Sequence, residues 1–186
     1  MPGRAVIDFA PMARARGRLF VPLRAFIKEN FGEVGWQRLL SELSPSHREI
    51  LDGLLLPSSW YPREMHNALL DAVDRLFRAD LPDLGERLGA RSATYNVRFF
   101  LKPLLRVGGP MLVIKRLAGL YREHFDTGQM VVVERRDKGA RIKLDDPYFS
   151  PLFCAQTFLG FVRAAIRMSG RKVERCEQVM CRHTGN

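Results

Sequence analysis

The chain has 186 residues, of which 46% are hydrophobic and 27% are charged, and its formal net charge is +10. This composition is typical of a globular protein with one sizeable core, and no apolar run approaches the roughly 18 to 20 residues needed to cross a bilayer. Three cysteines without a signal-peptide pattern favour reduced thiols or a metal site over a disulfide framework, so we expect a cytoplasmic protein.

Helical periodicity dominates the first half of the chain, with apolar residues recurring at spacings of three and four. Gly32 is a good helix terminator, and Pro62 suits the first turn of a helix. The predicted helices are Phe20 to Asn30, Val34 to Leu43, a short one capped by Ser46 with Glu49, Pro62 to about Arg78, Leu81 to Ala93, Tyr95 to Leu105, Met111 to Phe125 and Pro147 to Ser169. Trp60 and Tyr61 fall in a proline-bounded segment that we expect to be an ordered loop.

Near Gln129, the spacing of the apolar residues changes from the pattern of a helix to the pattern of a strand. Gln129 to Arg135 and Ala140 to Leu144 flank the turn pair Lys138-Gly139, and Lys172 to Arg182 would be a third strand. This order predicts an α+β fold, in which an N-terminal helical half precedes a small antiparallel sheet with a long helix packed on it. A Gly-Asn pair usually announces a returning strand, so Gly185-Asn186 suggests that a final strand is missing.

We predict that residues 1 to 18 form an N-terminal arm that can be flexible. We also predict that residues 19 to 186 form a single ligand-binding-type domain. The positive charge is scattered among carboxylates along the whole chain, which favours a solvated surface over a nucleic-acid face. Two basic clusters are the exceptions: Arg14, Arg16 and Arg18, and Arg135, Arg136 and Lys138.

No motif in the chain specifies a reaction. Ser58-Ser59 lacks the Gly-x-Ser-x-Gly context of a nucleophile elbow, and Gly108-Gly109-Pro110 lacks the lysine and hydroxyl of a phosphate loop. Asp145-Asp146-Pro147 is more simply a turn with a helix cap than a catalytic carboxylate pair. We therefore expect a protein that is not an enzyme.

Three stretches resemble known domains. Arg24 to Trp36 looks like the first helix and turn of haem–nitric-oxide-binding domains, and Tyr61-Pro62 followed by Leu104 to Gly109 continues the likeness. From Gln129 on, the chain is similar to the 4-vinyl reductase domain, a small-molecule-binding module of the same superfamily. The whole chain also resembles an uncharacterised family abundant in myxobacteria that combines both likenesses.

The resemblance implies a haem site only if its ligand is atypical. In the run Leu117-Ala118-Gly119-Leu120-Tyr121, Tyr121 stands where the haem-binding family has its proximal histidine, and no Tyr-x-Ser-x-Arg motif for the propionates occurs. A tyrosine can ligate haem iron, and His124 could substitute if the helix rotated. A packed aromatic with a satisfied hydroxyl is the alternative role for Tyr121.

The resemblance to phenol-sensing regulators of the vinyl-reductase type implies a zinc site. Cys154 and Cys181 match two of its ligand positions, and Glu177 is one residue out of register. Strand parity places Glu177, Cys181 and His183 on one face, so these three with Cys154 are the candidate ligand set, whereas Cys176 points away. The alternative is that the cysteines are small core residues.

These observations favour a sensory or regulatory domain that binds a small, mostly apolar ligand in an internal cavity. The predicted lining residues are Trp60, Tyr61, His66, Phe99, Phe100 and Tyr121. A haem-based gas sensor and a basic protein- or nucleic-acid-interaction module are the alternatives. A homodimer formed through the first helices and a signalling protein are the macromolecular partners that the resemblance implies.

Overall fold

The computed structural model of the protein describes residues 12–100, 109–136, 139–181 and 183, and within these ranges all side chains except those of residues 97–100 and 109–113. The described part of the chain has six α-helices and four strands, which confirms the α+β fold. The helices are α1 (Phe20–Ser41), α2 (Pro45–Asp52), α3 (Arg63–Phe77), α4 (Leu84–Phe100), α5 (Gly109–His124) and α6 (Phe158–Met168). The strands are β1 (Arg14–Arg16), β2 (Trp60–Pro62), β3 (Gln129–Arg136) and β4 (Gly139–Asp145).

Gly32 interrupts α1 as its sequence position predicts. Its φ of 69° and ψ of −175° lie outside the helical region, so the two predicted helices meet at a kink. A residue without a Cβ adopts such a positive φ at little cost.

The cap of α2 differs from expectation, because the hydroxyl of Ser44, and not that of Ser46, accepts a hydrogen bond from the His47 amide at 3.3 Å.

The predicted loop around Trp60 and Tyr61 is instead a strand. β2 pairs antiparallel with β1, which lies in the predicted N-terminal arm, so the described part of that arm is ordered against the body of the domain. The pairing continues beyond the strands, where the Gly17 amide donates to the Ser59 carbonyl at 2.9 Å. Two segments remote in sequence complete this ladder, and local periodicity does not reveal such pairs.

The predicted β-hairpin is confirmed, whereas the third strand is wrong. β3 and β4 pair antiparallel from Gln129 and Asp145 to Arg136 and Gly139. The described residues 172–181 contain no strand. Side chains hold this segment instead: the Arg163 guanidinium donates to the Cys176 carbonyl.

Each of the last two helices has its own packing partner. α5 packs on β3 and β4, whereas α6 packs along α4. The helices predicted as Leu81 to Ala93 and Tyr95 to Leu105 are one helix, α4, as far as Phe100, and Pro103 lies outside the described residues.

Glycines allow α4 and α6 to touch through their backbones. A Cβ on Gly89 would lie 2.0 Å from the Thr157 carbonyl oxygen, and one on Gly160 would lie 2.1 Å from the Glu86 carbonyl oxygen. Both contacts are far shorter than van der Waals distance and involve main-chain atoms, which cannot rotate away as a side chain can. The two helices therefore form a close pair that cannot accommodate larger residues at these positions.

Gly89→Ala should lower the free energy of unfolding by at least about 1 to 3 kcal/mol, the usual cost of overpacking, because α4 and α6 must separate. Gly119→Ala in α5 is the control, since a Cβ there meets nothing within 4 Å. Alanine should be neutral or stabilising at that position by up to about 1 kcal/mol. Urea unfolding followed by circular dichroism measures both, and equal stability of the two variants would contradict the close packing.

Candidate ligand cavity

The interior of the domain contains a mostly apolar cavity of about 60 Å³. Helices α1, α3, α4, α5 and α6 all contribute to its wall. The lining residues are Leu19, Leu23, His66, Leu70, Leu88, Ser92, Leu117, Leu120, Tyr121, His124, Phe125, Phe153, Thr157, Phe158 and Phe161. Their helical spacings of three and four, as in Leu117, Leu120, Tyr121 and His124, bring one face of each helix to the cavity.

His124, one of the lining residues, has a buried acceptor without a partner. Its side chain is 4% exposed, and its Nδ1 lies 2.5 Å from the Leu120 carbonyl oxygen. A carbonyl oxygen can only accept, so Nδ1 carries the proton and the neutral ring has its lone pair on Nε2. Nε2 is buried without a hydrogen-bond partner. Burial lowers the pKa of His124 to about 4, so the ring is neutral near pH 7.

His66 is the second histidine of the cavity wall. Burial, with a smaller contribution from the nearby Arg63 charge, lowers its pKa to about 3. Its ring makes edge contacts with Phe20 and Phe125, at centroid distances of 5.5 and 5.9 Å, and its Nδ1 has no hydrogen-bond partner. The cavity therefore combines apolar walls with two neutral imidazoles and with the hydroxyl side chains of Ser92 and Thr157.

Tyr121 lines the cavity with its ring while its hydroxyl points to a carboxylate. The hydroxyl donates to Asp146 Oδ2 and lies 3.2 Å from the Thr127 carbonyl oxygen. Burial and the Asp146 carboxylate raise the pKa of Tyr121 far above its usual value near 10. Tyr121 therefore remains a neutral phenol, which agrees with the packed aromatic and disfavours a tyrosinate ligand for iron.

Arg63 lies behind this wall and escaped the sequence reasoning. Its side chain is 2% exposed, and its guanidinium carbon lies 3.6 Å from the centre of the Phe125 ring and 4.8 Å from that of Phe149. Its Nη2 is 3.5 Å from Asp146 Oδ2. The sequence feature that could have indicated the burial of Arg63 is its position three residues before His66, at the start of the apolar stripe of α3.

Trp60 and Tyr61 lie outside the cavity wall, contrary to prediction. Both are half-buried in β2. The Arg16 guanidinium carbon lies 4.0 Å from the centre of the Trp60 ring, and the Tyr61 hydroxyl accepts a hydrogen bond from the Leu56 amide at 2.9 Å. Of the predicted lining residues, His66 and Tyr121 are brought together, and the side chains of Phe99 and Phe100 lie outside the described residues.

The predicted zinc ligands are not assembled. Within the described residues, which include Cys154, Glu177, Cys181 and His183, no three His, Cys, Asp or Glu side chains form a metal-binding group. Glu177 is paired with Arg175 at 2.7 Å, and His183 Nε2 lies 3.0 Å from the Phe149 carbonyl oxygen. The parity argument fails because residues 172–181 are not a strand.

A second, polar groove of about 290 Å³ lies between α4, α6 and residues 173–176. One of its two arginines, Arg163, is already bound to the Glu86 carboxylate and to the Cys176 carbonyl. Charged side chains also include Arg167 and Glu174, so the groove does not suit the mostly apolar ligand that the sequence predicts.

Comparisons of the chain with protein-family models, with curated proteins and with solved structures found no match. Within residues 12–100, 109–136, 139–181 and 183, no helix has both the length and the apolar character needed to span a bilayer.

The two cavity histidines should make the protein less stable as the pH falls below about 6.5. The unfolded chain then binds protons near the ordinary histidine pKa of 6.5, whereas the folded protein does so only near pH 4 and 3. Stability is fully present above pH 6.5 and is lost towards the folded pKa values, at up to about 1.4 kcal/mol per pH unit for each histidine.

Urea unfolding between pH 7.5 and 5.5 measures this loss. His66→Leu and His124→Leu should each remove one histidine's share of the slope. A wild-type stability that is independent of pH across this range would contradict neutral burial of the two rings.

Proposed function

We propose that the protein is a non-enzymatic sensory or regulatory domain that binds a small, mostly apolar ligand in its interior. The observation that carries this proposal is the apolar cavity with the buried, unpartnered Nε2 of His124 in its wall. Ligand sites typically combine apolar walls with a few placed polar groups. The resemblance to haem–nitric-oxide-binding and 4-vinyl reductase domains supports the same class of function.

The size of the cavity limits its occupant. Its volume of about 60 Å³ is well below the roughly 150 Å³ at which an apolar cavity holds benzene. The structure therefore accepts a few heavy atoms as it stands, and a larger ligand must displace part of the wall. Such a displacement gives a sensor its signal, because the bound and free shapes then differ.

The chemistry of His124 selects among apolar ligands of equal size. A molecule with one hydroxyl or N–H group can donate to Nε2, whereas a hydrocarbon leaves this acceptor unsatisfied. Leaving a buried polar group without a partner costs about 1 to 3 kcal/mol, which corresponds to roughly 5- to 150-fold in affinity. The preferred ligand is thus an apolar molecule with a single hydrogen-bond donor.

Binding of benzyl alcohol and toluene, measured by calorimetric titration, tests this proposal. Benzyl alcohol should bind at least about fivefold more tightly than toluene to the wild type, and His124→Leu should reduce the difference while toluene still binds. His47→Gln, a change in α2 away from the cavity, is the control and should preserve the difference. If neither compound binds and xenon does not enter the cavity, the proposed interior site is refuted.

Haem is the second candidate, because a histidine whose Nδ1–H bonds a carbonyl and whose Nε2 is free has the arrangement of a metal ligand. The fit is poor, since a cavity of about 60 Å³ cannot hold the macrocycle without rearrangement of the wall. We derive no mechanism through haem for this reason.

Titration with hemin separates the two candidates. The cavity size predicts no specific Soret band on addition of hemin to the purified protein. A Soret band that His124→Leu abolishes and Tyr121→Phe preserves would favour the haem-based gas sensor over the domain that binds a small apolar ligand.

The basic interaction module finds less support. Many exposed cations of the described part of the molecule pair with carboxylates, which leaves fewer of them free to contact phosphates. The pairs include Arg14–Asp126, Lys28–Glu33, Arg75–Glu42, Arg78–Asp74, Arg87–Asp83, Arg91–Glu29 and Lys143–Asp145. Nucleic-acid binding that weakens steeply with salt would restore this alternative.

A further inference from the structure

The interior holds a cation with unused hydrogen-bonding capacity. None of the three guanidinium nitrogens of Arg63 has a hydrogen-bond partner among the described residues, although all three are buried. Stacking against Phe125 and the ion pair with Asp146 stabilise the positive charge, but neither satisfies the N–H groups. Five donors without acceptors are expensive inside a protein.

Asp146 cannot supply the missing acceptors in its present position. Its Oδ2 accepts from the Tyr121 hydroxyl and its Oδ1 accepts from the Tyr148 amide at 2.8 Å, while Arg63 Nη2 remains 3.5 Å away. The carboxylate is thus held by α5 and by the turn that follows β4. Apart from an interaction with the nearby Tyr121 hydroxyl, the donors of Arg63 are available to another oxygen.

Phe125 belongs both to the cavity wall and to the surroundings of Arg63. It is one of the lining residues, and the Arg63 guanidinium carbon lies 3.6 Å from the centre of its ring. The Phe125 ring is buried and contacts the rings of Tyr121, Phe149 and Phe153, so a ligand that moves it must replace these contacts. Rotation of this ring would enlarge the cavity, which a benzene-sized ligand requires, and would open it to Arg63.

Charge decides which oxygen fits. Arg63 and Asp146 form a neutral pair, so a bound carboxylate or phosphate would leave one buried negative charge without compensation. A neutral acceptor satisfies the donors without adding charge. The same reasoning excludes a cation, which would compete with Arg63 for Asp146.

We infer that Arg63 is a ligand-binding residue that selects apolar molecules with a neutral acceptor oxygen, of the ketone, aldehyde, ester or amide type. This inference rests on the proposed interior site and specifies its ligand. His124 and Arg63 then bind complementary ends of one molecule, the first as an acceptor and the second as a donor.

Calorimetric titration with acetophenone, ethylbenzene and benzoate tests the inference. These probes share an aromatic ring and present a neutral oxygen, no oxygen and an anion. Acetophenone should bind about tenfold or more tightly than ethylbenzene, as expected for a hydrogen bond from a charged group, and benzoate should bind more weakly than acetophenone.

Replacing Arg63 alone would strand the Asp146 carboxylate, so the test variant is the double change Arg63→Met with Asp146→Asn. It should bind ethylbenzene at least as well as the wild type does and should lose the preference for acetophenone. Arg75→Met, which removes an exposed arginine of the same helix, is the matched control and should keep the preference.

Each outcome decides between the two proposals. Equal affinity of the wild type for acetophenone and ethylbenzene refutes the role of Arg63 and leaves the interior site standing. Tighter binding of benzoate refutes the neutral acceptor. If none of the three probes binds, the interior site fails and the role of Arg63 fails with it. If the double variant does not fold, equal affinity of the wild type for acetophenone and ethylbenzene still refutes the role of Arg63.

Discussion

Burial of a positive charge among aromatic rings is the constraint that organises this domain. Arg63 at the start of α3 needs a carboxylate nearby, and Asp146 provides it from the turn after β4. Asp146 in turn fixes the hydroxyl of Tyr121 on α5. One ion pair therefore ties together a helix of the N-terminal half, the helix beside the hairpin and the hairpin itself. Removal of either charge leaves the other buried and uncompensated.

The same exclusion of water determines the chemistry of the cavity. His66 and His124 lose their tendency to protonate because the surrounding leucines and phenylalanines provide no solvation for an imidazolium. They become neutral hydrogen-bonding groups in an apolar space. This space has one tightly packed side, where glycines bring the backbones of α4 and α6 together, and one aromatic side, where Phe125 and Tyr121 meet Arg63. Adaptation to a larger ligand would therefore begin on the aromatic side.

The sequence predicted elements wherever the signal is local. The periodicity of α3 and α5, the break at Gly32 and the β3–β4 hairpin each depend on neighbours within a few residues, and the structure contains them. The prediction failed where the partner is remote. β2 forms because residues 14–16 pair with it, and residues 172–181 are not a strand although their pattern suggests one. Pairing between distant segments leaves no periodic trace in one sequence.

Some residues of the candidate site could be predicted from the sequence, and others could not. His66 could be named in advance because it lies beside the apolar stripe of a predicted helix, and Tyr121 was named from the resemblance to the haem-binding family. Trp60, Tyr61 and the set Cys154, Glu177, Cys181 and His183 were chosen on residue type and resemblance, and neither group meets where the prediction put it. Arg63 was missed because an arginine beside a proline at a helix start is ordinarily solvated, and only the Phe125 and Phe149 rings reveal that it is buried.

By itself, the sequence determined the fold class, most helices and the hairpin, since these follow from periodicity and turn chemistry, and it placed His66 beside an apolar stripe. Only the tertiary structure decided that the Nε2 atom of the cavity-lining residue His124 is buried without a partner, that Asp146 binds Tyr121 and Arg63, and that α4 and α6 touch through glycines. These features depend on which groups lose water together. Desolvation is a property of the packed assembly of segments and not of any one segment.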